Sequence, residues 1–153
     1  MQIRVETLEE QDVITLLEEH MADMHATSPP ESIHALDVTA LKAPEITFYC
    51  ARRDGVLLGC AALKSLGNGQ AELKSMRTAP ASRQQGVAAQ LLAHLLEQAR
   101  SRGYHTLSLE TGSMAFFEPA RRLYAKFGFE YCGPFGDYQQ DPNSCFMTLR
   151  LSE

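Results

Sequence analysis

A change of hydrophobic period within a few residues constrains this chain more than any other feature. From Gln70 to Thr78 the residues alternate in the two-residue manner of a strand. From Leu91 onward, Leu91, Leu92, Leu95, Leu96 and Ala99 recur at helical spacing. Between the two lies Arg83-Gln84-Gln85-Gly86-Val87-Ala88. A strand, a short glycine-containing turn and a helix N-terminus make a socket for a phosphate group. The first-turn amides have no intrahelical acceptor, and the helix dipole favours negative charge there. Gly86 has no Cβ, so the backbone can approach an anion closely. The pattern is Arg/Gln-x-x-Gly-x-Gly/Ala, which differs from both Gly-x-x-x-x-Gly-Lys-Ser/Thr and Gly-x-Gly-x-x-Gly.

The rest of the chain fits around this unit. Gln2 to Thr7 alternates as an opening strand, and Glu9 to His25 follows as an amphipathic helix that Ser28-Pro29-Pro30 breaks. A short helix is expected around Ile33 to Leu41. Ile46 to Arg53 and Val56 to Leu66 are β-rich runs joined by Asp54-Gly55, a pair suited to a type I′ turn. Gly67-Asn68-Gly69 turns the chain into Gln70 to Thr78, and Gly103 stops the long helix. Tyr104 to Glu110 is a further strand. Phe116 to Phe127 is the last helix, with Pro119 in its first turn. Phe129 to Cys132 and Ser144 to Leu151 close the chain. The expected fold class is α/β: a mixed, mostly antiparallel sheet of about seven strands with about four helices, in one domain over residues 1–153.

Composition bounds the function. Fourteen basic against nineteen acidic residues give a net charge of −5, which disfavours nucleic acid and favours a cationic small substrate. No apolar run approaches the length of a bilayer span and the N-terminus lacks a signal-peptide core, so a cytoplasmic protein is expected. Cys50, Cys60, Cys132 and Cys145 are widely spaced, three of them in apolar, strand-like surroundings, and read as buried reduced thiols. His20 and His25 are five apart, the wrong offset for two ligands on one helical face, so no metal is expected.

The Arg83–Ala88 motif, the order of elements, and Ala120-Arg121-Arg122-Leu123-Tyr124 followed by Gly128-Phe129 together resemble the GNAT superfamily of acetyl-CoA-dependent N-acetyltransferases. Glu110-Thr111-Gly112, Pro119 to Tyr124 and Cys132 to Tyr138 look like a group of small bacterial members with poorly defined substrates.

The resemblance implies acetyl-CoA as acyl donor, direct transfer to a primary amine, and a set of roles. Backbone amides of Gln84, Gln85, Gly86, Val87, Ala88 and Ala89, with Arg83 nearby, would take the diphosphate. Met76, Arg77 and Thr78 would pair their backbone with the pantetheine arm and supply an N–H to the thioester oxygen. Glu72 is the leading base, eleven positions before Arg83, with Glu110 as rival base or ammonium site. Tyr124 would protonate the leaving thiolate. Phe117 stands where many members carry Asn, so only packing is expected of it. Strand alternation puts Glu72, Lys74 and Met76 on one face and Leu73, Ser75 and Arg77 on the other. Glu72–Lys74 could also be no more than a solvated ion pair.

Acceptor selectivity is expected from His20, His25, Phe48 and residues 133–141, with Asp137 and Tyr138 able to meet a cation. The acceptor would be a small-molecule amine or a peptide, with no nucleic acid and no membrane involved, and the protein a monomer or homodimer. Two alternatives share the fold: a non-catalytic CoA-binding sensor or partner-binding module, and an acetylating toxin.

Overall fold

The computed structural model describes residues 1–34 and 36–151. Seven strands form one sheet: β1 (Gln2–Val5), β2 (Ile46–Arg53), β3 (Val56–Gly67), β4 (Gln70–Thr78), β5 (Thr106–Gly112), β6 (Glu130–Cys132) and β7 (Ser144–Arg150). Their spatial order is β1-β2-β3-β4-β5-β7-β6. Among these strands only β4 and β5 pair in parallel, and the helix between them carries the chain back to the end of the sheet where β4 began. The β2–β3 hairpin turns at Asp54 and Gly55, both with positive φ, as a two-residue type I′ turn requires. Asn68 and Gly69 repeat the device between β3 and β4.

The helices α1 (Gln11–Thr27), α2 (Val38–Leu41), α3 (Val87–Ser101) and α4 (Glu118–Lys126) divide between the two faces of the sheet. On one face, Val13, Leu16 and Leu17 of α1 and Leu41 of α2 pack with Phe48, Cys50, Cys60 and Ala62. Arg52 pins the start of α1: it pairs with Glu6 at 2.8 Å and Asp12 at 2.7 Å, and its guanidinium holds the Asp12 carboxyl below the ordinary value. Arg77 ties α1 further along, at 2.6 Å from Asp23.

On the opposite face, Leu91, Leu92, Leu95 and Leu96 of α3 meet Leu58, Leu63, Leu73, Leu107 and Leu109. Each such fully buried leucine contributes roughly 1.5–3 kcal/mol. Gly59 lets α3 sit close: a Cβ there would lie 2.8 Å from the Arg77 carbonyl oxygen and 3.1 Å from Val87 and Leu91. Tyr124 of α4 and Phe129 complete this core edge to face, 5.8 Å between ring centres.

Three expectations change. The helix foreseen around residues 33–41 is shorter: a 3-10 turn occupies Pro30–Ser32 and α2 begins at Val38, capped by the Asp37 carboxylate on the Ala40 amide. Ala35, inside that expected helix, lies outside the described residues, as do Ser152 and Glu153. Phe48 is 3% exposed in the α1-side core, too buried to meet an acceptor. Cys50 and Cys60 are buried and face each other across β2 and β3, but Cys132 is exposed and Cys145 half-buried.

Candidate active site

The sheet opens at one place. β4 and β5 pair only from Gln70↔Thr106 to Leu73↔Leu109, whereas β5 stays paired with β7 as far as Gly112↔Ser144. Beyond Leu73, β4 therefore has a free edge on the β5 side. Its register with β3 also slips: Ala62 faces Lys74 and Cys60 faces Arg77, so Ser75 and Met76 together oppose Ala61. This is a β-bulge, with Ser75 in the left-handed region at φ 55.

The bulge reverses the expected faces. Met76 joins Leu73 against the α3-side core, and Arg77 turns to Asp23 on the α1 side, shared with Glu72 and Lys74. Leu73 and Met76 are spaced by three where alternation demands an even interval, which fits the bulge but does not by itself place it.

A cavity of about 120 Å³ fills the split, lined among others by His20, Glu72, Met76, Glu110, Phe117 and Tyr124. A basin of about 560 Å³ adjoins it, walled by Glu31, Leu36, Lys64 and residues 136–141. Glu72, Lys74 and His34 line both spaces.

Glu72 and Lys74 are not solvated, for their side chains are 4% and 8% exposed. The Lys74 ammonium donates to Glu72 Oε2 at 3.0 Å and to the Tyr138 hydroxyl at 2.9 Å, while that hydroxyl donates to the same Oε2 at 2.5 Å. Burial, then the Glu72 charge, pushes the Tyr138 phenol up from its ordinary value. Glu72 Oε1 accepts no hydrogen bond among the described residues.

Glu110 sits on the same sheet face, two residues beyond Ser108, the partner of Glu72. Among the described residues it receives one hydrogen bond, from the Ser144 hydroxyl at 2.7 Å. Burial raises its carboxyl above the ordinary value, against that bond and the charges of His34 and Lys74.

Tyr124 is 6% exposed, and its phenol is pushed up by burial and by Glu110. Phe117, in a 3-10 turn ahead of α4, lies against Gly112, where a Cβ would come within 2.1 Å of the ring. His20 is held down to about 4 by burial and by the charge of Arg77.

Arg83, Gln84, Gln85 and Gly86 are exposed just ahead of α3. Gln84 and Gly86 both have positive φ, no side chain caps the helix, and no amide of residues 84–89 donates to a backbone carbonyl among the described residues. The structure thus brings Glu72, Met76, Glu110, Phe117 and Tyr124 around one cavity. Arg77, Thr78 and residues 83–89 are not among its lining, and neither is His25, which is exposed. Sequence reasoning missed Ser75 at the bulge, whose buried hydroxyl has no partner among the described residues, and Ser32, His34 and Asn143 in the cavity wall. Among the described residues no three His, Cys, Asp or Glu side chains gather as a metal site, and no helix is long and apolar enough to cross a membrane.

Residues 12–129 match the family model described as Acetyltransferase (GNAT) family. The chain is 54% identical over 151 residues to the uncharacterized N-acetyltransferase YsnE of Bacillus subtilis, covering 99% of this chain and 100% of that one. It is 39% identical over 144 residues to an IAA acetyltransferase of Azospirillum brasilense, 91% of this chain and 90% of the relative. A solved Klebsiella pneumoniae protein, provisionally assigned as an acyl-CoA N-acyltransferase, superposes with a TM-score of 0.80 at 28% identity, over 98% of this chain and 97% of that one.

Proposed function

We propose, from the premise that the chain belongs to the acetyltransferase (GNAT) family and is an acyltransferase enzyme, that it moves the acetyl group of acetyl-CoA directly to a primary amine bound in the adjoining basin. The observation that carries this is the split between β4 and β5, with two carboxylates and a phenol around it.

Acetyl-CoA supplies an activated carbonyl, and the chain has groups suited to each part of it. The amides of Gln84, Gln85, Gly86, Val87, Ala88 and Ala89 have no backbone acceptor and suit the diphosphate, with Arg83 exposed beside them. Several hydrogen bonds to a charged acceptor, at roughly 1.5–3 kcal/mol each, suffice for micromolar anchoring. The free edge of β4 through Met76, Arg77 and Thr78 suits an added half-strand from the pantetheine arm. Phe117 offers an apolar wall.

The amine attacks the carbonyl carbon, the C–S bond breaks, and the ammonium proton must leave. Glu110 is the favoured base, because burial raises it and one of its oxygens accepts no hydrogen bond among the described residues. Glu72, the first candidate from sequence, already has two donors on one oxygen. Tyr124 keeps its proton at neutral pH and is ready to donate to the departing sulfur.

The test is thermal stability with acetyl-CoA, followed by thiol release over a panel of primary amines. IAA, which has no primary amine, is assayed beside the panel because the Azospirillum relative is named for it. A rise in Tm with acetyl-CoA and thiol release with at least one amine are expected. No shift at millimolar acetyl-CoA defeats the reading, whereas a shift without turnover favours a CoA-binding sensor.

A further inference from the structure

Residues 133–143 link β6 to β7, and a single hydroxyl fastens this link to the centre of the sheet. Tyr138 reaches across 66 positions of sequence to Glu72 Oε2. Its ring is held by edge contacts with Phe135 and His34 at 5.0 Å and a tilted contact with Phe146 at 5.5 Å. The far end of the same link is tied down by Ser32, whose hydroxyl donates to Asp141 at 2.7 Å. Tyr138 lines the outer basin but not the inner cavity, while Glu72 and Lys74 line both. The Lys74–Glu72–Tyr138 cluster therefore stands at the passage through which an acceptor must bring its nitrogen.

We propose that Tyr138 is a positioning residue for the acceptor: with Lys74 it occupies Oε2 of Glu72, leaving Oε1 as the fixed seat for an incoming primary ammonium. This rests on the acetyltransferase reading above. A carboxylate on a free rotamer could turn either oxygen to either space. Two donors on one oxygen remove that freedom, and Lys74 balances the buried charge without blocking the other oxygen. Lys74 and Tyr138 also bond to each other, so loss of either loosens both contacts. Glu72 is then an anchor that holds the ammonium as it arrives and keeps an N–H hydrogen bond to the same nitrogen after Glu110 has taken the proton that frees the attacking lone pair.

Anchoring shared by the ground and transition states appears in KM and not in kcat. Tyr138→Phe keeps the ring and its aromatic contacts and deletes only the hydroxyl. It should raise acceptor KM roughly ten- to hundredfold with kcat within about twofold, as expected for a lost hydrogen bond to a charged group. Lys74→Met should act the same way. Glu72→Gln should raise KM at least as far, and Tyr138→Phe added to Glu72→Gln should cost nothing more, since both act through one oxygen.

The rise in Tm with acetyl-CoA should be unchanged in every variant, which separates this idea from the acetyltransferase reading. If acetyl-CoA still binds but Glu72→Gln lowers kcat a hundredfold or more, Glu72 is the base and the anchor role is wrong. A Tyr138→Phe enzyme with wild-type KM, additive effects in the double variant, or a wild-type enzyme that binds acetyl-CoA yet acetylates no primary amine in the panel would each overturn it as well.

Discussion

At Glu110, burial pushes the carboxyl up and the Ser144 hydroxyl pulls it down, and burial prevails. The raised folded value means the native state holds this proton to higher pH than the unfolded chain does. Its contribution to stability is fully present below the ordinary glutamate value and is lost as pH rises through the folded one. Glu110→Gln should therefore gain stability relative to wild type near neutral pH and much less near pH 4, as urea unfolding at the two pH values will show. The same substitution should lower kcat by about 10²–10⁴, the usual contribution of a positioned base. Neutral-pH stability unchanged and activity retained would remove Glu110 from the site. Sequence could nominate Glu110 only as a rival to Glu72. What separates the two is their company among the described residues: Lys74 and Tyr138 crowd one oxygen of Glu72, whereas Glu110 has Ser144 alone. Tyr138 comes from 66 positions away, and no local pattern announces such a contact.

At the scale of elements, the site exists because a strand is interrupted and a turn is filled. The bulge at Ser75 and Met76 sends β4 away from β5, and Phe117 then closes the end of the gap by resting on Gly112. Gly112→Ala puts a methyl group into that ring. We expect a loss of about 1–3 kcal/mol of stability from overpacking, together with a raised KM for acetyl-CoA as Phe117 leaves the wall. Gly112→Ala combined with Phe117→Leu should recover most of the stability, and failure to recover any would show that the clash lies elsewhere. Most element boundaries were readable because hydrophobic period and turn chemistry agree, as at Asp54-Gly55 and Asn68-Gly69. The region of residues 30–41 was not, because among its described apolar residues only Leu41 is fully buried, while Ile33, Leu36 and Val38 are half-buried and leave no sustained period to read.

For the molecule as a whole, charge is distributed to suit the proposed reaction. The net charge is −5, and Glu31, Asp137 and Asp141 rim the outer basin against Lys64, with Glu72 and Lys74 balancing each other. A cationic amine such as agmatine should show a higher kcat/KM than glutamate, and the advantage should shrink as salt shortens the Debye length from about 14 Å to about 4 Å. Equal use of both amines, insensitive to salt, would show that the rim does not select. The sequence by itself determined the strand and helix order and the helix start at Gly86, since each follows from local periodicity or turn residues, and its short motifs carried the resemblance to the family. Only the tertiary structure decided which face Met76 takes, that Glu72 is clasped rather than solvated, and where acceptor and donor spaces meet. Those outcomes depend on a register slip between strands and on side chains joined across scores of residues, which are properties of packing and not of neighbours in the chain.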